Sequence, residues 1–141
     1  MYTRILVAIE HSDADQTILK HVEDLARLTG AELILAHVAD GWAARHFNQL
    51  KLRESEEIQD DRAYLDSVCA QLTAKGLTVT SRLLMGDPST ELVKAVDTEK
   101  ADLLAMATHG HRFLQDLVKG TTVDRVRHLV KVPVLLVRHL G

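Results

Sequence analysis

The strongest constraint on this chain is a repeated alternation. Short runs that are apolar at consecutive positions are each followed by a stretch whose apolar residues recur three or four apart. The first run, Arg4–Ile9, shows no in–out alternation, so both faces of that strand must be covered. A helix follows, with Ser12 or Asp13 as its cap and Gly30 as its stop; Ile18, Val22, Leu25 and Ala26 fall at helical spacing. Leu33–Val38 repeats the buried-strand pattern. Leu52–Lys75 reads as a long helix with Ile58, Leu65, Val68, Cys69 and Leu72 on one face, ended by Gly76. Leu77–Met85 is a third strand. The turn Gly86-Asp87-Pro88-Ser89 then starts a helix capped by Asp87, with Pro88 at its first position and Leu92, Val93 and Val96 facing inward. Asp102–Thr108 gives a fourth strand, Thr121–Val130 a fourth helix and Val132–Val137 a fifth strand.

Strands that are apolar throughout and alternate strictly with helices require a parallel sheet covered on both faces. With right-handed crossovers, five of them form an open doubly wound α/β sheet of order 3-2-1-4-5 with helices on both faces. In that order the chain reverses between strands 1 and 4, and ligands bind beyond the carboxyl ends of those strands. The residues there are Glu10-His11-Ser12 and Ala107–Gly110. Ala39–Lys51, containing Trp42 and Phe47, has no clear period and reads as an irregular connection. It is either a wall beside that crevice or a cover for the long helix.

A second signal falls at the same place. Ala107-Thr108-His109-Gly110 is followed, nine residues later, by Gly120-Thr121-Thr122-Val123 at the start of a helix. Two small-residue turns at this spacing can lay backbone N–H groups around a phosphate chain, to which the helix N-terminus adds its partial positive charge. Gly110 and Gly120 leave room for close approach. Thr121 also suits a helix cap, with Asp124 three residues on as the acidic half of a capping box, so the pattern has a purely structural use as well. Charge is biased in the same direction. The chain has 17 Lys and Arg against 20 Asp and Glu, yet its last thirty residues are basic, with Arg112, Lys119, Arg125, Arg127, Lys131 and Arg138 near the proposed phosphate site. Arg125, Arg127 and Lys131 also fit the ordinary solvated face of a helix, which is the commoner use of such charges.

The length of 141 residues suits one domain spanning 1–141, with 46% apolar residues for a core. At 4%, aromatic residues are too few for a base-stacking nucleic-acid platform. Cys69 is the only cysteine, which excludes an internal disulfide, and its helical position suits a small buried thiol. The amino terminus lacks a signal-peptide pattern and no apolar stretch is long enough to span a bilayer. The expectation is a cytoplasmic protein without membrane insertion and without nucleic-acid binding.

With these residues in view, the sequence resembles the universal stress protein family over essentially its whole length. Ile5-Leu6-Val7-Ala8-Ile9-Glu10-His11-Ser12 is similar to the family's first strand, an apolar run followed by Asp-x-Ser. Leu35-Ala36-His37-Val38, Gly86-Asp87-Pro88, Met106–Val123 and Val132–Val137 resemble its second strand, third-helix turn, nucleotide loop and closing strand. In nucleotide-binding members the loop reads Gly, two residues, Gly, nine residues, Gly, then Ser or Thr. Here Ala107 replaces the first Gly, and Glu10 replaces the usual Asp with one more methylene. The resemblance implies a Rossmann-like adenine-nucleotide fold, a stress-response role, binding of ATP or a relative, and homodimerisation. It further implies that Ala8 and Ile9 line the base or ribose and that Val38 approaches the adenine. Ala107, His109 and Gly110, after Met106, would meet ribose and phosphates, and Gly120, Thr121, Thr122 and Val123 the phosphates. Glu10 would contact the ribose or a Mg²⁺ carried with the nucleotide.

Three functional readings stand side by side: a nucleotide-binding regulatory dimer, a stress interaction module with a vestigial site, and a slow ATP hydrolase with Glu10 or His109 orienting water. No catalytic residue is assigned, because no P-loop lysine, Gly-x-Ser-x-Gly elbow or metalloprotease helix occurs. His109 and His111, with His11 and Glu10 across the crevice, invite a transition-metal alternative, but no cysteine or second acidic pair accompanies them. His21, His46, His128 and His139 read as surface or packing residues. The closing strand is apolar and lies at the sheet edge, where Pro133 is tolerated. Pairing that edge with a second copy would remove an aggregation hazard.

Overall fold

The computed structural model describes residues 1–40, 47–109 and 122–140. Its elements are β1 (Arg4–Ala8), α1 (Ala14–Thr29), β2 (Glu32–Asp40), α2 (Phe47–Ala74), β3 (Val79–Gly86), α3 (Pro88–Thr98), β4 (Leu103–Thr108), α4 (122–129) and β5 (Val134–Arg138). The five strands form one sheet of order β3-β2-β1-β4-β5, and every neighbouring pair is parallel. This is the order expected from the apolar runs.

Each central strand supplies both faces. Ile5, Val7, Leu33, Leu35, Leu103 and Ala105 pack with Ile18 and Val22 of α1 and Leu65, Val68 and Leu72 of α2. The alternate residues Leu6, Ile34 and Leu104 pack with Leu92, Ala95 and Val96 of α3 and Val126 of α4. Leu6, Ile34, Leu104 and Val126 are all fully buried. Toward the carboxyl ends this second face loses bulk, because Leu6 is followed two residues on by Ala8, and Ile34 by Ala36. Ala8 and Ala36 lie side by side in the β1–β2 register. Two methyl groups where the preceding layer has branched side chains leave a hollow under α3 and α4.

Local signals explain the boundaries. The long helix ends at Gly76, whose φ of 91° suits a residue without a Cβ. The Gly76 and Leu77 amides donate back to Thr73 and Leu72, so Leu77 belongs to the helix stop and β3 begins at Val79 rather than at Leu77. The Asp87 carboxylate caps α3 by accepting from the Thr90 amide at 3.0 Å, with Pro88 inside the first turn. Those bonds, with hydroxyl donations from Ser89 and Thr90, hold its pKa down at about 2.

Several expectations change. The irregular stretch assigned to Ala39–Lys51 contracts, since β2 continues to Asp40 and α2 already begins at Phe47. Good helix formers from Gln49 to Glu54 extend the helix without an apolar stripe to announce it. Trp42 lies outside the described residues, so its place as a wall or cover does too. Of the alternative caps for α1, Asp13 makes no side-chain bond; Ser12 Oγ accepts from the Ala14 amide at 3.3 Å. The last strand starts at Val134, after Pro133, instead of at Val132. Cys69 is half-buried, and its thiol donates to the Val79 carbonyl.

Candidate functional site

The hollow opens at the carboxyl ends of β1, β2 and β4 as a cleft of about 440 Å³. It lies where the strand order reverses, between β1 and β4. Its volume is in the range of small-molecule sites. Nine of the residues expected at a ligand site line it together: Ala8, Ile9, Glu10, Val38, Met106, Ala107, His109, Thr122 and Val123. Gly110, Gly120 and Thr121, expected at the phosphates, lie outside the described residues, as does His111. The capping-box partner of Asp124 is therefore not described either; the Asp124 carboxylate itself pairs with Arg127.

The inner wall is apolar, made by Ala8, Ala36, Val38, Leu92, Met106 and Val123. Polar groups gather on one side. His109, whose side chain is only 9% exposed, places Nε2 2.7 Å from Glu10 Oε2. The Ser12 hydroxyl donates to the same oxygen at 3.0 Å. The structure thus turns the His109 ring nitrogen toward Glu10; the expectation from the sequence was that His109 meets ribose and phosphates. The ring also stands edge-on to His139, 6.3 Å away between centroids. Of the two roles expected for His139, surface or packing, it takes the second: its ring shares a hydrogen bond with the Thr17 hydroxyl at 2.8 Å, and its amide donates to the Thr108 carbonyl. Thr122 and Arg127 of α4 complete the rim, and Arg125 stands 3.8 Å from Asp87.

Asp15, Asp61 and Tyr64, given no site role from the sequence, build the turn after β1 together with His11 and His37. Asp15, on the first turn of α1, is fully buried. Its carboxylate accepts from the amides of Glu10 and His11 at 2.8 Å each and of Ser12 at 3.3 Å, and from the Tyr64 hydroxyl at 2.7 Å. Tyr64 is correspondingly hard to ionise: burial raises its pKa first, and the bond to Asp15 and that group's negative charge raise it further. His11 takes the left-handed φ of 66°, stacks on Tyr64 and meets Asp61 Oδ1 through Nδ1 at 2.7 Å. His37, on the cleft wall, donates from Nδ1 to the Ile9 carbonyl and faces Asp61 Oδ2 through Nε2 at 3.2 Å. His11 is therefore directed to α2 instead of joining His109 and Glu10 about a transition metal. Among the described residues no group of three or more His, Cys, Asp or Glu could hold a metal ion.

A parallel doubly wound sheet with an apolar-walled cleft at its switch point is the architecture of the open α/β folds, in which the switch point is the general location of ligand sites. The chain belongs to the universal stress protein family, whose sequence profile matches residues 1–138. It is 27% identical to universal stress protein MJ0577 of Methanocaldococcus jannaschii, over 98% of this chain and 96% of that protein. The solved structure of MJ0577 superposes with a TM-score of 0.79 at 29% identity, covering 100% of this chain and 99% of that one. A universal stress protein in complex with cAMP has a TM-score of 0.70 at 23% identity, covering 97% of each chain. The Archaeoglobus fulgidus universal stress protein in complex with dAMP has a TM-score of 0.67 at 20% identity, covering 96% and 97%. Among the described residues no helix is long and apolar enough to cross a membrane.

Proposed function

We propose that this chain is a regulatory protein of the stress response that binds an adenine nucleotide, ATP or a relative, in the cleft at the strand-order reversal. The observation that carries the reading is the cleft's division into an apolar inner wall and a polar side. Ala8, Ala36, Val38, Leu92 and Met106 suit a flat heterocycle. Glu10 and His109 beside it suit ribose hydroxyls, which can both donate and accept. Thr122 and Val123, at the start of α4, stand where the charge of a phosphate tail is favoured. Two relatives of the same fold, in complex with cAMP and with dAMP, support the adenine class.

The residues fit a nucleotide better than a resident metal. Mg²⁺ needs only one or two carboxylates beside phosphates, and of the two that line the cleft among the described residues, Glu10 and Asp124, Glu10 is the one that would meet it. Such an ion would neutralise phosphate charge; Glu10 itself is held in place by His109 and Ser12.

In this reading residues 1–141 act as one domain in the cytoplasm and pair through β5. That strand bonds to β4 in the sheet and has Leu136 37% exposed. A second β5 would satisfy the outer edge. Calorimetric titration with ATP, repeated on Gly120→Val, tests the ligand. Saturable heat from the wild type and none from the variant is expected; equal heats from both would remove the phosphate site. An active hydrolase would instead show turnover above a Mg²⁺ control that Glu10→Gln abolishes.

A further inference from the structure

In a parallel α/β protein the turn from the first strand into the first helix is a natural phosphate site, because consecutive amides there point at one spot near a helix N-terminus. This chain has such a spot: the amides of Glu10, His11 and Ser12 converge within 3.3 Å of a single group. That group is the protein's own Asp15 carboxylate, fully buried and completed by the Tyr64 hydroxyl. All four neighbours are donors, an environment that matches an anion and leaves a neutral acid with a proton to misplace. No Lys or Arg is among these contacts; the balancing positive potential comes from amide dipoles and the start of α1.

We propose that Asp15 is a built-in anion that occupies the donor cluster of the β1–α1 turn, so this turn cannot hold a ligand phosphate and the tail of a bound nucleotide runs to the α4 side of the cleft. The first half stands on the Asp15 contacts alone; the second rests on the nucleotide reading. Asp15 is thus a positioning residue. By consuming the three amides it fixes the backbone that carries Glu10, and it places a negative charge behind the β1 side of the cleft. A polyanionic tail is repelled there and accepted at Thr122 and Val123.

Two measurements on the full chain test this. The first follows wild-type amide resonances during titration with sodium pyrophosphate. Thr122 and Val123 should shift while Glu10, His11 and Ser12 stay in place; movement of all five with one midpoint overturns the proposal. The second compares the melting of Asp15→Ala in sodium formate and in sodium chloride. Formate, a free carboxylate of the deleted size, should restore much of the lost stability, chloride should not, and the wild type should ignore both; a variant indifferent to formate overturns the built-in anion. If Asp15→Ala does not fold, Asp15→Asn keeps the size without the charge. Its Glu10 and His11 amides should exchange about tenfold faster than in the wild type, and unchanged exchange counts against the proposal. If pyrophosphate moves no amide anywhere, the nucleotide reading fails, while the formate result still decides the role of Asp15.

Discussion

Asp87 offers a prediction whose size follows from its surroundings. It caps α3, the helix that brings Pro88 and Leu92 to the cleft, and three donations from Ser89 and Thr90 hold its pKa at about 2 against an ordinary 3.8. Taken at face value, a shift of nearly two units is worth about 2.5 kcal/mol. The side chain is 53% exposed, so solvent screening reduces this to about 1 kcal/mol, in line with a typical helix cap. Asp87→Ala should lower stability at pH 7 by about that amount and the melting temperature by about 3 °C. The sign follows from linkage. A carboxylate with a depressed folded pKa contributes its full stability above the unfolded value and loses it as pH falls through the folded one. The gap between wild type and Asp87→Ala, read by urea denaturation, should therefore hold from pH 7 to about 5 and shrink steadily between about 4 and 2. Asp87→Asn, which keeps a capping oxygen, should lose less than Ala at pH 7. A gap that stays constant from pH 7 to 3 would refute the charge argument and leave only packing.

Other outcomes are as specific. Val38→Trp fills the apolar end of the cleft; displacing a ten-atom heterocycle worth about 0.3 kcal/mol per atom should weaken ATP binding about a hundredfold by calorimetry. His11→Ala and His11→Gly lose the same contacts to Tyr64 and Asp61, but only Ala keeps the cost of positive φ. The Gly variant should be the more stable by about 1 kcal/mol in urea; equal stabilities would show that the turn relaxes. If β5 pairs two copies as proposed, light scattering should find a wild-type dimer and a 15.7 kDa monomer for Val134→Lys; a wild type that is already monomeric at micromolar concentration would end the edge-pairing argument.

The sheet order was legible because parallel strands buried on both faces are apolar at consecutive positions, and Ile5–Ile9, Leu33–Val38 and Leu103–Ala107 all read that way. Strand order then located the cleft without a ligand. The hollow itself was also written in the sequence, in the two-residue steps from Leu6 to Ala8 and from Ile34 to Ala36, though only the pairing of Ala8 with Ala36 turns two small residues into a cavity. The buried support behind Glu10 was not legible. Asp15 lies on α1's first turn, where an acid is unremarkable, and only the folded turn shows three amides closing on it. Asp61 and Tyr64 stand one helical turn before Leu65 and Val68, on the apolar face that the sequence does mark, but their partners in the β1–α1 turn come from tertiary packing that local periodicity does not give. Strand order did place His109 and Glu10, ninety-nine residues apart in the chain, across one crevice; the direct bond between them shows only in the folded site.

The most direct test is a crystal structure of the protein soaked with ATP. The account predicts a heterocycle between Val38 and Met106, a ribose beside Glu10 and His109, and phosphates at the start of α4 with none on the amides of residues 10–12. A cleft left empty at saturating nucleotide, or filled by the protein's own side chains, would contradict it.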